Sequence, residues 1–391
     1  MTLSVRACCA GAVLLCACHS ARAKVSFSLD FSLDSPDGLF DPSVAAGQQA
    51  RVAMERATQV FSDRIVDHLT AIAPGGGNTW TPRIVNPGTG LETNAALSGV
   101  GANVIKLYVG SRSLGATDVG MAYAGAATTT GTQAFRDNAA SRGQVGALAT
   151  TKTDFGPWGG SIAFDWDANW HFGLTAGGLT SNKVDFLSVA VHELAHVLGF
   201  SIGQPSYAAL VSGGKFNGPK ARTVNGGVAP SANGSHWVGM SGAVGPNGPV
   251  QVALMDPGVP TGVRRRMTLL DWAALDDLGW SLAMPGDANA DGVVDFTDFQ
   301  ILEAGFRQTN SRWSRGDFNE DGTVDTVDFR LLIANYGKRL VAGAPGAVAS
   351  AAEHQALNEF AETWGVAVPE PGVAGLVVEL GLMAMRRRRR R

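Results

Sequence analysis

Two histidines four residues apart, His192 and His196, lie inside a run that patterns strongly as a helix. Asp185 is a good N-cap, Phe186 to Leu198 carry an apolar stripe of Phe186, Leu187, Ala190, Val191, Leu194 and Val197, and Gly199 supplies the stop. At 3.6 residues per turn, positions four apart lie about 40° apart around the axis and about 6 Å along it, so both imidazoles face one way and can share an ion. Glu193, beside the first histidine, sits where a carboxylate can take a proton from water activated by that ion. His192-Glu193-Leu194-Ala195-His196 therefore reads as a metal-binding helix for hydrolysis, against the plainer alternative of a surface helix face.

A catalytic zinc needs a third protein ligand and an open fourth position. On residue chemistry alone His171, His68, His236 or a carboxylate could supply it. HELAHVLGF at His192 to Phe200 resembles the metzincin helix with its glycine stop, and LMDPG at Leu254 to Gly258 resembles the metzincin Met-turn. The usual metzincin pattern has a histidine three residues after the glycine, where this chain has Ile202. The leishmanolysin-like branch delays that histidine to an HW dipeptide ahead of the Met-turn, and Ser235-His236-Trp237 is similar to it. Phe216-Asn217-Gly218 with Ala221, and TLLDWAALDDLGW at Thr268 to Trp280, resemble the same branch.

The resemblance covers residues 150 to 280 well and 24 to 150 in general layout. It implies an α+β fold, with a metzincin-like catalytic domain over 24–284 built from a twisted sheet, an active-site helix and a Met-turn. It also implies one catalytic Zn2+ on His192, His196 and His236, Glu193 as the catalytic residue, and Met255 as the buried Met-turn floor that binds no metal. His68 then reads as a helix-face residue and His171 as structural. One departure stands out. Leishmanolysin-type proteases are disulfide cross-linked and many use a cysteine to block zinc in the precursor, whereas Cys8, Cys9, Cys16 and Cys18 are the only cysteines here.

Around this centre the patterning predicts a helix over 47–71, with Val52, Ala53, Val60, Phe61, Ile65 and Leu69 at helical spacing and Pro74 to Gly77 as its stop. Asn103 to Gly110 and Gly160 to Trp166 read as strands, the first being the expected sheet edge for an extended peptide substrate. Residues 201–265, rich in Gly, Pro, Ser and Asn, read as long connections around a site. A helix over Leu269 to Leu278, capped by Thr268, returns the chain to the core, and Pro285 closes the domain.

DANADGVVDFTD at Asp287 to Asp298 returns as DFNEDGTVDTVD at Asp317 to Asp328. Asp287, Asn289, Asp291, the Val293 carbonyl and Asp298 fall at positions 1, 3, 5, 7 and 12 of a calcium loop, with Gly292 at the sharp turn. Asp317, Asn319, Asp321, the Thr323 carbonyl and Asp328 repeat the set around Gly322, and Asp295 and Asp325 at position 9 act through water. Two structural Ca2+ ions are expected. Aspartate at position 12, with only the following helix well formed, resembles dockerin type I modules. This resemblance implies a small α-helical module over 286–337 and a cohesin-like partner.

The two ends read as sorting signals. Arg6, the apolar run Ala7 to Ala17 and Ala21-Arg22-Ala23 form a signal peptide over 1–23, with lipidation at Cys18 as the alternative. After a linker over 338–367 with room for one short helix, Val368-Pro369-Glu370-Pro371, an apolar stretch and Arg386 to Arg391 resemble the bacterial PEP-CTERM sorting signal over 368–391. That implies transient membrane association before processing, and a secreted or cell-surface protein of a bacterium. Residues 1–23 and 369–391 hold eight arginines and two glutamates, so the remainder has 23 basic and 32 acidic residues, net −9, which speaks against a nucleic-acid partner. The expected activity is zinc-dependent hydrolysis of peptide bonds in a protein or peptide substrate. The rival expectation is an inactive protease-like adhesion or scaffold protein acting through the repeat module.

Overall fold

The computed structural model describes residues 24–246, 248–340 and 349–366. The signal-like segment with Cys18 and the 368–391 tail lie outside them. In chain order the first part comprises β1 (Ser26–Asp30), α1 (Ala45–Ser62), β2 (Thr79–Val85), β3 (Glu92–Asn94), β4 (Val104–Arg112), β5 (Gly120–Ala124), β6 (Ala126–Thr130), α2 (Gln133–Ser141), β7 (Gly159–Asp165), β8 (Trp170–His171), β9 (Val184–Asp185) and α3 (Phe186–Val197). Short elements follow: α4 (Pro205–Ala208), β10 (Val211–Ser212), β11 (Lys215–Phe216), α5 (Pro219–Val224), β12 (Ala232–Asn233), β13 (His236–Trp237), β14 (Ser241–Ala243) and β15 (Val250–Val252). The described residues close with α6 (Leu269–Asp277), α7 (Phe296–Gly305), α8 (Thr326–Asn335) and α9 (Ala351–Thr363).

The main sheet has the order β1-β4-β7-β5, with β1, β4 and β7 parallel and β5 antiparallel to β7. β4 sends Ile105, Leu107 and Val109 into the core shared with α1 and α3, and Tyr108 into a second cluster with Trp80 and Trp158. A strand buried on both faces is a central strand. This corrects the expectation that Asn103 to Gly110 forms the sheet edge: β4 is paired on both sides, and the edges are β1 and β5. All seven residues of β7 are buried, and its first two glycines are required by close approach. A Cβ on Gly159 would stand 2.0 Å from the Lys106 carbonyl, and one on Gly160 would stand 2.3 Å from that of Tyr123.

The first helix ends at Ser62, well before the expected residue 71. Its buried face runs through Ala50, Ala53, Met54, Ala57 and Phe61, while Val52 faces solvent. Beyond it the backbone is claimed by other partners. Ile65 accepts from Val25, Val66 donates to Ser281, and Ala283 donates to Arg64, so residues 64–66 run between the segment before β1 and the segment after α6.

Residues 286–337 form a separate core around Phe299, Leu302, Phe318, Phe329 and Leu332. Asp295 and Asp325 cap α7 and α8, each in a reciprocal pair with Asp298 or Asp328. Within the expected 338–367 linker a short helix is present and packed. α9, capped by Ser350, buries Leu357, Phe360 and Ala361 against that core, with Phe360 within 5.3 Å of the Phe299 ring and 4.8 Å of the Phe329 and Phe306 rings. The sequence leaves room for this helix but does not show that its apolar face has a partner. Among the described residues no helix is long and apolar enough to cross a membrane.

Candidate zinc centre and calcium loops

α3 starts where Asp185 accepts hydrogen bonds from the Ser188 amide and hydroxyl, and the same buried carboxylate holds Arg264 through Nε at 3.0 Å and Nη2 at 2.6 Å. Along the helix His192 hydrogen-bonds through Nδ1 to the Leu254 carbonyl at 2.8 Å, and His196 through Nδ1 to the Phe200 carbonyl at 2.6 Å. A ring nitrogen beside a carbonyl must carry the proton, so each neutral imidazole presents a lone pair at Nε2. The two Nε2 atoms lie 3.0 Å apart, and His236 Nε2 lies 3.1 Å from the first and 3.2 Å from the second.

Acceptors converging in this way repel unless a cation stands among them, and three imidazole nitrogens at this spacing suit zinc. Among the described residues these three form the one group of histidine, cysteine or carboxylate ligands so close together. Burial holds His192 well below the usual imidazole range, and burial first, then the His236 charge, brings His196 down to about 4. Both are therefore neutral, the form that binds metal. Neither alternative ligand reaches the centre: His171 bonds through Nε2 to the Thr175 carbonyl at 2.9 Å, and His68 is exposed.

Glu193 is buried beside the triad. Loss of solvent, then the nearby Asp118 charge, pushes its carboxyl up to about 8. β5 runs so close that a Cβ on Gly120 would stand 2.7 Å from Glu193 Oε1 and 2.7 Å from Val189 Cγ1. A cleft of about 340 Å3 opens here, lined by Gly120, Met121 and Ala122 of the edge strand, by the triad and Glu193, and by Pro257 to Val259.

Met255 is fully buried and follows the carbonyl that orients His192. The residue that sequence reasoning missed is Asp271, on the first turn of α6. Its carboxylate accepts from the Leu254 amide at 2.9 Å, the Met255 amide at 3.2 Å and Trp237 Nε1 at 2.8 Å, and it closes a capping box with Thr268. One side chain thus ties α6 to the Leu254–Met255 turn and to the strand carrying His236. Burial raises its pKa against the pull of these donors. The capping signal Thr268-x-x-Asp271 was visible, but its reach across the fold was not.

In the calcium loops the carboxylates turn inward. Asp287 accepts from the Asp291 and Gly292 amides, Asp298 from those of Ala288, Asn289 and Asp295, and Asp291 from that of Val293. In the second loop Asp317 Oδ2 accepts from Gly322, Asp321 from Thr323, and Asp328 from Phe318, Asn319 and Asp325. Asn289 and Asn319 each donate a side-chain hydrogen bond to Asp291 and Asp321 at 2.9 Å. Asp295 and Asp325 are engaged as caps, accepting from the Thr297 and Val327 amides.

Burial is the main cause that pushes Asp287 and Asp328 up to about 7, Asp298 to about 6 and Asp317 to about 8, and like charges add to it. Asp317 Oδ1 is buried with no hydrogen-bond donor. A cation among these oxygens would remove that conflict, so the loops fit calcium.

Residues 104–211 match the family model described as Matrixin. Residues 285–336 match that of the Dockerin type I domain. The first match spans α3 with His192, Glu193 and His196 and stops short of His236. It points to a zinc metallopeptidase, a hydrolase, and the second points to calcium binding in a region of a kind that binds cohesins. No curated protein and no solved structure matches the chain.

Proposed function

We propose that the chain is a secreted or cell-surface zinc endopeptidase in which His192, His196 and His236 hold one Zn2+ and Glu193 is the general base. The observation that carries the reading is the convergence of three Nε2 atoms within 3.0–3.2 Å, two of them on rings whose other nitrogen is engaged by a carbonyl. Zinc bound there lowers the pKa of a water molecule and polarises the scissile carbonyl.

The chain's own residues do the rest. Burial raises the Glu193 carboxyl to about 8 when no metal is bound, and a cation on the triad would hold it ionised, ready to take a proton from attacking water and deliver it to the departing amine. The outer edge of β5 is unpaired in the main sheet, and an extended peptide adds to it through backbone hydrogen bonds. Gly120 lets that strand approach Glu193, which would bring a peptide added to β5 beside the carboxylate.

The position of His236 in an HW pair before the Met-turn supports a leishmanolysin-like third ligand. We further read residues 286–337 as a module holding two Ca2+ ions and open to a cohesin-like partner, and the two chain ends as an export signal and a PEP-CTERM-like sorting tail. Casein cleavage by zinc-loaded protein, with and without chelator, tests the reading. Glu193→Gln is expected to keep stoichiometric zinc and lose nearly all hydrolysis. Wild-type protein that holds zinc yet cleaves nothing would favour the adhesion or scaffold role instead.

A further inference from the structure

The two calcium loops share a frame but not a setting. Position 4 is Ala290 in the first and Glu320 in the second, both left-handed with φ of 57°. Ala290 is buried in the module's own core, whereas Glu320 reaches out of its loop into the catalytic region. Its Oε1 accepts from Arg64 Nη1 at 3.0 Å, its Oε2 from Trp272 Nε1 at 3.2 Å, and its carbonyl from Arg266 Nη1 at 2.6 Å. The Arg64 guanidinium lies 4.1 Å from the Trp272 ring and 4.2 Å from the Trp313 ring, so a buried cation is held between one indole from each part of the chain.

Further contacts seat the same repeat. Arg56 donates to the Ser311 carbonyl, Arg312 bonds Gln59 and pairs with Asp63 at 3.6 Å, and a Cβ on Gly245 would stand 2.3 Å from the Asn319 carbonyl. As a result Asn319 is buried and Asp321 half-buried, where Asn289 is half-buried and Asp291 exposed.

We propose that the second calcium loop is an intramolecular latch: a cation on Asp317, Asn319, Asp321 and Asp328 fixes the loop so that Glu320 grips Arg64 and Trp272, and occupancy of this loop, not the first, stabilises α6. Trp272 adjoins Asp271, the side chain that holds the Met-turn and Trp237, so the latch braces the support of the histidine site. The physical basis is linkage. A ligand that binds the docked form better than the undocked one stabilises docking, and docking tightens the ligand in return. The inference concerns domain coupling and does not depend on the peptidase reading.

The test uses the full chain at buffered free zinc, following hydrogen exchange in Leu269–Asp277 and residues 62–67 in saturating calcium and in chelator. Calcium is expected to slow exchange there at least about tenfold, because undocking leaves a buried charge unpaired. Asp287→Asn in the first loop is expected to keep that response. Glu320→Ala, which copies the first repeat, is expected to bind two calcium ions by titration yet lose most of the slowing. Equal exchange with and without calcium would overturn the latch. So would a full response in Glu320→Ala, a response lost in Asp287→Asn, or loss of calcium binding in Glu320→Ala, which would make Glu320 part of the ion site.

Discussion

Removing the Asp271 carboxylate is the sharpest probe of how this site is held. In Asp271→Ala five donors lose their acceptor: the Leu254 and Met255 amides, Trp237 Nε1, and the Thr268 amide and hydroxyl. Each buried donor left unmade costs roughly 1–3 kcal/mol, and the simple sum overshoots because water enters and the removed charge was itself costly to bury. A net loss of about 3–5 kcal/mol is the reasoned outcome, large against a domain stability of about 5–15 kcal/mol.

The second consequence is specific to the centre. The Leu254 carbonyl orients His192, so loosening this turn disturbs an outer-shell partner, and zinc affinity is expected to fall roughly 10- to 100-fold. Denaturant unfolding of the zinc-free protein and competition for zinc with a chromophoric chelator measure the two effects separately. A stability loss under about 1 kcal/mol with unchanged zinc affinity would refute the reasoning, since surface substitutions cost that little.

Three other outcomes are expected. His236→Ala should weaken zinc by more than the roughly 10- to 100-fold typical of an outer-shell change, and His171→Ala should not; zinc content after dialysis decides, and retention in the first variant removes His236 from the ligand set. Gly120→Ala pushes a methyl to within 2.7 Å of Glu193 Oε1, so kcat should drop about 10- to 100-fold with zinc content unchanged, and a full kcat would exclude Gly120 as a positioning residue. Burial first, opposed by the Phe155 amide, raises Asp154 to about 6 from 3.8. Its folded-state pKa lies above the unfolded value, so its stabilising share is full below about 4 and is lost as pH rises through about 6. In saturating calcium Asp154→Asn should therefore flatten the fall in melting temperature between pH 4 and 7, and an unchanged slope would count against the shift.

The local parts of this protein are written along the chain. α3 follows from Asp185, an apolar repeat of period 3.6 and Gly199, so the shared direction of His192 and His196 needs no knowledge of the rest of the fold. The calcium loops are legible for the same reason, because each draws its ligand positions from twelve consecutive residues. Distant choices were different. His236 stands 40 residues beyond His196 and meets it only because β13, the Leu254 turn and Asp271 are bonded together, which no local period encodes.

The edge strand was misplaced because a run of apolar residues looks alike whether one side of the strand is paired or both, and only the β1-β4-β7-β5 order puts β4 inside and leaves β5 open beside the histidines. The first helix stopped early because residues 64–66 found partners at Val25, Ser281 and Ala283, far away in sequence. Nothing local marks Glu320 within its acidic loop, and it is a largely covered partner of Arg64 only because the tertiary structure brings the loop against Trp272. Short-range hydrogen bonding and periodicity thus set the elements and their ligand pairs, whereas burial, which depends on every other segment, decided which charges face one another.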